Sequence, residues 1–372
     1  MDVLTSDPTV AHVGGRAYSI PTDQPEADGT LHWSSTTVVV AQVSASGQVG
    51  MGWTYGSKGS QSVIEGEIAE AIIGANAEDV PGMHETMVRA CRNLGRPGMA
   101  GYAISAVDIA LWDLKARLME TSITSLLGRC RTSVPIYGSG GFTTYDDRTT
   151  IFQLEQWVGD LGAPAVKIKI GEEWGNRTER DLARVAVARQ AVGDGVQLMV
   201  DANGGYHRKQ AVRIGREVVR GYDVVWFEEP VSSDDLAGLR EVRDQLPLDV
   251  AAGEYGFDEV YFSRMVQAGA VDCLQIDVTR CGGYTSWQRA AAIAAAHNLD
   301  VSGHCAPHLH SYVAATVPNL RHVEYFHDHV RVDPLLFDGL PSAGSGNISV
   351  PADSLGHGIT LRQGDAERYR VG

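Results

Sequence analysis

Residues 196–203 read VQLMVDAN, residues 224–230 VVWFEEP and residues 248–255 LDVAAGEY. Each is a short apolar run that ends on a carboxylate: Asp201, Glu228 and Glu254. The intervals between these carboxylates are 27 and 26 residues, room for one strand and one helix each. The same rhythm extends both ways. Strands are expected over Val134–Tyr137, Ala165–Ile170, Val196–Val200, Val224–Phe227, Leu248–Ala252, Cys273–Ile276, Leu299–Ser302 and Arg321–Val323. Helices are expected over Glu179–Val192, Arg208–Arg220, Leu236–Gln245, Asp258–Ala268, Ser286–His297 and His310–Thr316. Strands alternating with helices through right-handed crossovers close into a parallel α/β barrel. The rival, an open doubly wound sheet, asks for a G-x-G-x-x-G loop after its first strand. Gly138-Ser139-Gly140-Gly141 lacks that spacing and reads as a tight turn.

The barrel is expected over residues 131–339, and residues 1–130 differ from it. Ser35–Val43 and Gln48–Trp53 read as two strands joined by the turn SASG. Helices follow at Gln61–Ile73 and Tyr102–Met119, the second with a broad apolar face. Strands first and helices after indicate an α+β module. Residues 340–372 carry short β runs and no further strand–helix unit, and are expected to pack back on that module.

The chain has 372 residues, 44% of them hydrophobic, enough for large buried cores. Its 31 basic and 46 acidic side chains leave a net charge of −15, which argues against nucleic acid or an anionic membrane as partner. No apolar run spans a bilayer; Ala290–Ala296 is too short. The start, MDVLTSDPTVAHVGG, carries no basic region ahead of an apolar one, so no secretion signal is read there. Cys91, Cys130, Cys273, Cys281 and Cys305 are scattered and form no CxxC pair, which fits a reducing cytoplasm.

In a parallel barrel, chemistry sits where strands end. Strand two carries Lys167 and Lys169, strand six ends in Asp277, strand seven in His304 and strand eight in Glu324. Asp201, Glu228 and Glu254, on adjacent strands, would repel one another when buried. A divalent cation removes that cost, and oxygen ligation suits Mg²⁺ or Mn²⁺. Lys167 and Lys169 lie two apart on one strand and share a face. Each is expected to depress the other's pKa, so that one serves as a base while the other binds a substrate carboxylate. Asp277 beside His304 would fix the imidazole tautomer and make an acid/base opposite the lysines. Glu324, if protonated, could donate to a developing oxyanion. His308, His310, His327 and His329 do not follow zinc-ligand spacing and are read as shaping the pocket. In the N-terminal module, His32, Trp33, Ser34, Tyr55 and Ser57 offer polar contacts for a hydroxylated substrate.

Together the helix AISAVDIALWDLKAR, the strand KIKIG, the ends VDAN, WFEEP and AGE, the Asp before CGG and the strand end SGH resemble the enolase superfamily, specifically its mandelate racemase subgroup. The resemblance covers nearly the whole chain. It implies an α+β capping domain, formed by both chain ends, over a modified (β/α)7β barrel in which strand eight lacks a following barrel helix. It implies one Mg²⁺ per subunit on Asp201, Glu228 and Glu254, Lys169 as base on one face of the substrate and Lys167 as its electrostatic partner. It implies the His304–Asp277 dyad on the other face, Glu324 as an acid toward the substrate carboxylate, and Asn203 as a substrate contact. A homo-oligomer is implied as well. Asp277, together with His304, points away from subgroups that carry a catalytic lysine five residues before the Gly of the strand-six loop. The capping motif reads Gly52-Trp53-Thr54-Tyr55 and the tail Ser354-Leu355-Gly356-His357-Gly358, both departures from the family pattern.

The shared chemistry is removal of the proton α to a carboxylate, giving an enediolate; the handling of such sites by a Lys or His base with Mg²⁺ is a general pattern of this superfamily. The resemblance favours an acid-sugar dehydratase, acting on an aldonate or aldarate and releasing a 2-keto-3-deoxy acid. A racemase, epimerase or cycloisomerase is the alternative, and a non-catalytic binding or structural protein the remote one.

Overall fold

The computed structural model describes residues 8–372; residues 1–7, part of the stretch read for a targeting signal, lie outside the described residues. The chain opens with three antiparallel strands, Val10–Ala27, His32–Ala45 and Gln48–Tyr55. The first was not expected. Gly14, Gly15, Pro21 and its charged side chains hide its alternation, yet it pairs with the second strand from Val10↔Ala45 to Ala27↔His32. Pro21 is tolerated because this is an edge strand and its register breaks between Pro21 and Glu26. The helix expected over Gln61–Ile73 is broken into Gly59–Val63, a π-turn at Ile64–Ile68 and Ala69–Ile72. Gly66 departs from helical geometry there (φ −95, ψ −105), in keeping with the poor helix propensity of glycine.

The long helix Met99–Leu118 lies on this sheet and is buried on almost every side. It is seated by glycine: a Cβ on Gly52 would meet Ala106 O at 2.3 Å and Ala110 N at 2.7 Å, and one on Gly50 would meet Ala110 O at 2.1 Å. Backbone cannot move aside as a flexible side chain can. The substitution Gly52→Ala is therefore expected to destabilise the protein by about 1–3 kcal/mol, the usual cost of overpacking. An unchanged midpoint in chemical unfolding would show that the helix is not seated this closely.

The barrel follows. Among the described residues its strands are Ser133–Gly140, Ala165–Lys169, Gln197–Asp201, Val224–Glu228, Asp249–Ala252, Cys273–Ile276, Asp300–Gly303 and Leu320–Phe326. All are parallel, and strand eight pairs with strand one to close the barrel. A helix missing from the sequence reading, Asp147–Gly159, follows strand one; Asp146 caps it by accepting from Thr149 N at 2.8 Å. Strand eight does run into a helix, His327–Leu336. That helix turns to the cap, where Tyr55 donates to Asp333.

Alternation along the strands builds the interior in layers. Tyr137, Ala165, Met199, Trp226, Ala251 and Cys273 form an inner apolar layer. Two residues further along the strands the layer turns polar: Ser139, Lys167, Asp201, Glu228 and Gln275. Val166, Ile168 and Ile170 point the other way into the main core. The tail returns to the cap. His357 donates its N–H to Asp113 (2.9 Å) and meets Met51 O through Nε2 (2.7 Å), while Ser349–Asn347 pairs antiparallel with barrel strand one.

Candidate active site

A cavity of about 320 Å³ lies between the carboxyl ends of the strands and the cap. Its barrel wall includes Lys169, Asn203, Glu254, Tyr255, Arg280, His304 and Cys305. The cap supplies Asp28, Trp33, Ser35, Thr36, Thr37 and Tyr55. Of the cap residues expected to face a substrate, Trp33 and Tyr55 line the cavity, whereas His32, Ser34 and Ser57 do not. Trp33, Ser35 and Thr37 share one face of their strand, opposite His32 and Ser34; Thr36 lines the cavity as well, and Ser57 lies beyond the end of the strand Gln48–Tyr55.

Asp201, Glu228 and Glu254 each bring a carboxylate oxygen within 4.8 Å of the others, and all three are buried. Three buried carboxylates this close need positive charge. Lys169 bonds Asp201, and Lys167 bonds Glu228 and lies 2.8 Å from Glu324. Burial pushes Glu228 up to about 8 against the pull of Lys167. Burial also opposes the charge of Glu254, but His304 and Arg280 outweigh it and hold that carboxyl below its ordinary range. Oxygen-only donors in a buried triangle fit a small hard dication.

Lys167 does lower the pKa of Lys169, as expected of two neighbouring ammonium groups, but the carboxylates around the pair reverse the net effect. Burial lowers both, yet the surrounding carboxylates overcome it: Glu228, Glu324 and Asp201 hold Lys167 well above its ordinary pKa, and Asp201 raises Lys169 despite Lys167. Lys167 is also fully buried and does not reach the cavity wall, one pleat repeat below Lys169. Glu324 lies equally deep. Its oxygens accept from Ser139 Oγ (2.5 Å) and Cys305 N (2.8 Å), and Lys167 and His304 overcome burial to hold it ionised. In this arrangement Glu324 accepts hydrogen bonds from Ser139 and Cys305, and Lys167 favours its ionised form.

His304 and Asp277 do form a dyad, Nδ1 to Oδ2 at 2.8 Å, which leaves Nε2 toward Glu254 Oε2 at 3.2 Å. Burial alone would lower His304; Cys305, Glu254 and Asp277 outweigh it and keep it protonated well above the ordinary range. Asp277 is held at about 2 against burial by His304 and Arg280, and Thr279 fills its other oxygen at 2.7 Å. Asn203 takes a left-handed backbone (φ 44), which Asn tolerates, and its buried Oδ1 has no hydrogen-bond partner.

Several site residues were not singled out in the sequence. Arg280 bridges Glu254 (3.1 Å) and Asp277 (3.2 Å). It stands three residues after Asp277, a position from which its reach could have been inferred. Glu229, beside Glu228, is buried and pushed well up by burial and by Glu254. Glu26 and Asp328, also unmarked, both accept from Trp33 Nε1 (2.8 and 2.9 Å), which binds the cap to the helix after strand eight. The remaining histidines do not converge. His308 pairs with Asp333 (2.6 Å), His310 accepts from Val278 N (3.1 Å) and His327 reaches Asp23 (3.2 Å). His329 stacks on Tyr55 and is kept neutral by burial, its pKa lowered to about 4.

Comparison with known proteins agrees with this geometry. The enolase C-terminal domain-like model matches residues 150–366, and the mandelate racemase/muconate lactonizing enzyme N-terminal domain model matches residues 21–128. The L-talarate/galactarate dehydratase of Salmonella typhimurium is 30% identical over 302 residues, 79% of this chain and 74% of that one. The crystal structure of a mandelate racemase/muconate lactonizing enzyme-like protein from Rubrobacter xylanophilus superposes with a TM-score of 0.94 at 43% identity, covering 98% of this chain and 100% of that one. A racemase from Streptomyces coelicolor A3(2) with bound magnesium gives 0.91 at 29% identity, covering 97% and 100%. The chain belongs to the mandelate racemase/muconate lactonizing enzyme family of the enolase superfamily.

Proposed function

We propose that this protein removes the proton α to the carboxylate of a small hydroxylated acid and expels the β-hydroxyl, as an acid-sugar dehydratase. The observation that carries the reading is that Lys169 and His304, from strands two and seven, line one cavity together with Glu254 of the carboxylate triangle. Asp201, Glu228 and Glu254 would hold Mg²⁺, or Mn²⁺, one per subunit. Bound there, the cation supplies Lewis-acid stabilisation of the negative charge that develops on the substrate carboxylate. With the charge of Asp201 offset in this way, Lys169 would lose the main group that holds it protonated. Lys169 Nζ then accepts the α-proton, and His304 Nε2 gives a proton to the departing hydroxyl, its tautomer fixed by Asp277. Asn203 Oδ1 accepts from a substrate hydroxyl. Lys167 and Glu324 act from below, fixing Glu228 and the strand-seven turn.

The dehydratase name of the Salmonella relative supports this reading. A second reading, racemase, epimerase or cycloisomerase, is favoured by the presence of an acid/base on each side of the cavity, which a 1,1-proton transfer requires. Incubation with Mg²⁺ and a panel of acid sugars in D₂O separates the two. A 2-keto-3-deoxy product is expected; recovered acid deuterated at the α-carbon with inverted configuration would favour the second reading. Neither product nor exchange on any acid would overturn both. Five cysteines without a disulfide support a cytoplasmic setting, and the family supports a homo-oligomer, for which light scattering is the test.

A further inference from the structure

We propose that His304 Nε2, Cys305 Sγ and Glu324 Oε2 form a second metal site, for a borderline or soft dication of the Zn²⁺ type, which shuts the acid/base machinery when filled. The three donors make a small triangle: Sγ–Nε2 is 3.3 Å, Sγ–Oε2 3.4 Å and Nε2–Oε2 3.8 Å. Tetrahedral zinc with ordinary bond lengths spaces the same atoms at about 3.6, 3.5 and 3.3 Å. The donors therefore need shifts of only a few tenths of an ångström.

Two further features point to the same arrangement. Cys305 and Ala306 both take left-handed backbone conformations (φ 50 and φ 40), uncommon for residues with a Cβ, and this turn leaves Sγ beside His304. Asp277 occupies Nδ1 of His304 at 2.8 Å, the carboxylate–histidine support that metal-binding imidazoles usually have. Lys167 holds Glu324 through Oε1, leaving Oε2 on the cysteine side. His304 and Cys305 line the cavity, so a cation can reach them from it.

This site differs in kind from the Asp201–Glu228–Glu254 triangle. Oxygen donors alone suit a hard ion; imidazole and thiolate beside one carboxylate suit Zn²⁺. The two groups share no residue. Binding displaces the thiol proton of Cys305 and the Nε2 proton of His304 into solvent, and the sulfur and nitrogen lone pairs become the metal bonds. The inhibition rests on the acid/base reading of His304 given above; the site itself does not.

The test is therefore one of binding. The full-length protein, saturated with Mg²⁺, is titrated with Co²⁺ and followed in the near ultraviolet, where a thiolate-to-cobalt charge-transfer band is expected, lost when Zn²⁺ is added. The variant C305S should lose the band and bind Zn²⁺ at least about tenfold more weakly. C130S, which removes the exposed thiol, should keep the band. X-ray absorption of the Zn²⁺-loaded wild type should show one sulfur at about 2.3 Å. Cobalt uptake without a thiolate band, a band that survives in C305S, or a zinc shell of nitrogen and oxygen alone would overturn the site. If the site is present but Zn²⁺ leaves α-proton exchange and turnover untouched, the reading of His304 fails instead.

Discussion

Replacing Asp201 by Asn, or Glu254 by Gln, is expected to abolish turnover and to remove the response of the protein to Mg²⁺. The triangle of buried carboxylates has one large electrostatic problem, and each substitution deletes one corner of its solution. The cation is asked to stabilise a developing dianion, a contribution of several kcal/mol, so kcat/KM should fall at least about a thousandfold. A second readout does not depend on knowing the substrate. In the wild type, Mg²⁺ at a hundred times its dissociation constant should stabilise the fold by about 2.7 kcal/mol, because it binds only the native state. In D201N that shift should vanish. Wild-type turnover in EDTA, or an undiminished Mg²⁺-dependent shift in both variants, would remove the metal from this triangle.

Lys169→Ala and His304→Asn are each expected to cut overall turnover by about 10²–10⁴-fold, the usual worth of a positioned acid or base. The informative part is how they differ. With Lys169 as base and His304 as acid, H304N should still wash the α-proton into solvent while forming almost no keto product. K169A should do neither. A racemase would show the opposite symmetry, each variant exchanging the proton of one enantiomer only. If both variants turned over at the wild-type rate, the two residues would have no part in proton transfer. Since Asp277 anchors His304, its effect on the imidazole tautomer is checked by D277N, which should lower turnover while leaving the Mg²⁺-dependent stabilisation intact.

The barrel was legible because its signal is repetitive. Eight apolar runs, seven of them carrying an ionisable residue at or near the end, recur at the length of one strand–helix unit, and the structure has a strand at each of them. The helix Asp147–Gly159 escaped because aromatic and β-branched residues dilute its pattern, and the strand Val10–Ala27 because glycine and proline mask its alternation. Within the site, residues that end strands were readable; residues delivered by turns were not. Arg280, Cys305 and the Trp33–Glu26–Asp328 bridge owe their positions to loop conformation and to the docking of the cap, neither of which has a period. The charge states were the least legible part. Spacing showed two lysines side by side, but their pKa values are set by Asp201, Glu228 and Glu324, which come from three other strands.

The cavity is walled by two stretches of chain that never mix in sequence. Cap residues between Asp28 and Gly56 cover it, and barrel residues from Lys169 to His329 supply its reactive groups. The polypeptide thus keeps the cover of the cavity and its ionisable groups largely in separate cassettes, sewn together by Trp33 against Asp328. Substitutions in the first cassette are expected to change which acid is accepted while leaving α-proton exchange in place. A lineage built this way can diversify its diet by editing a few dozen residues while inheriting its reaction intact.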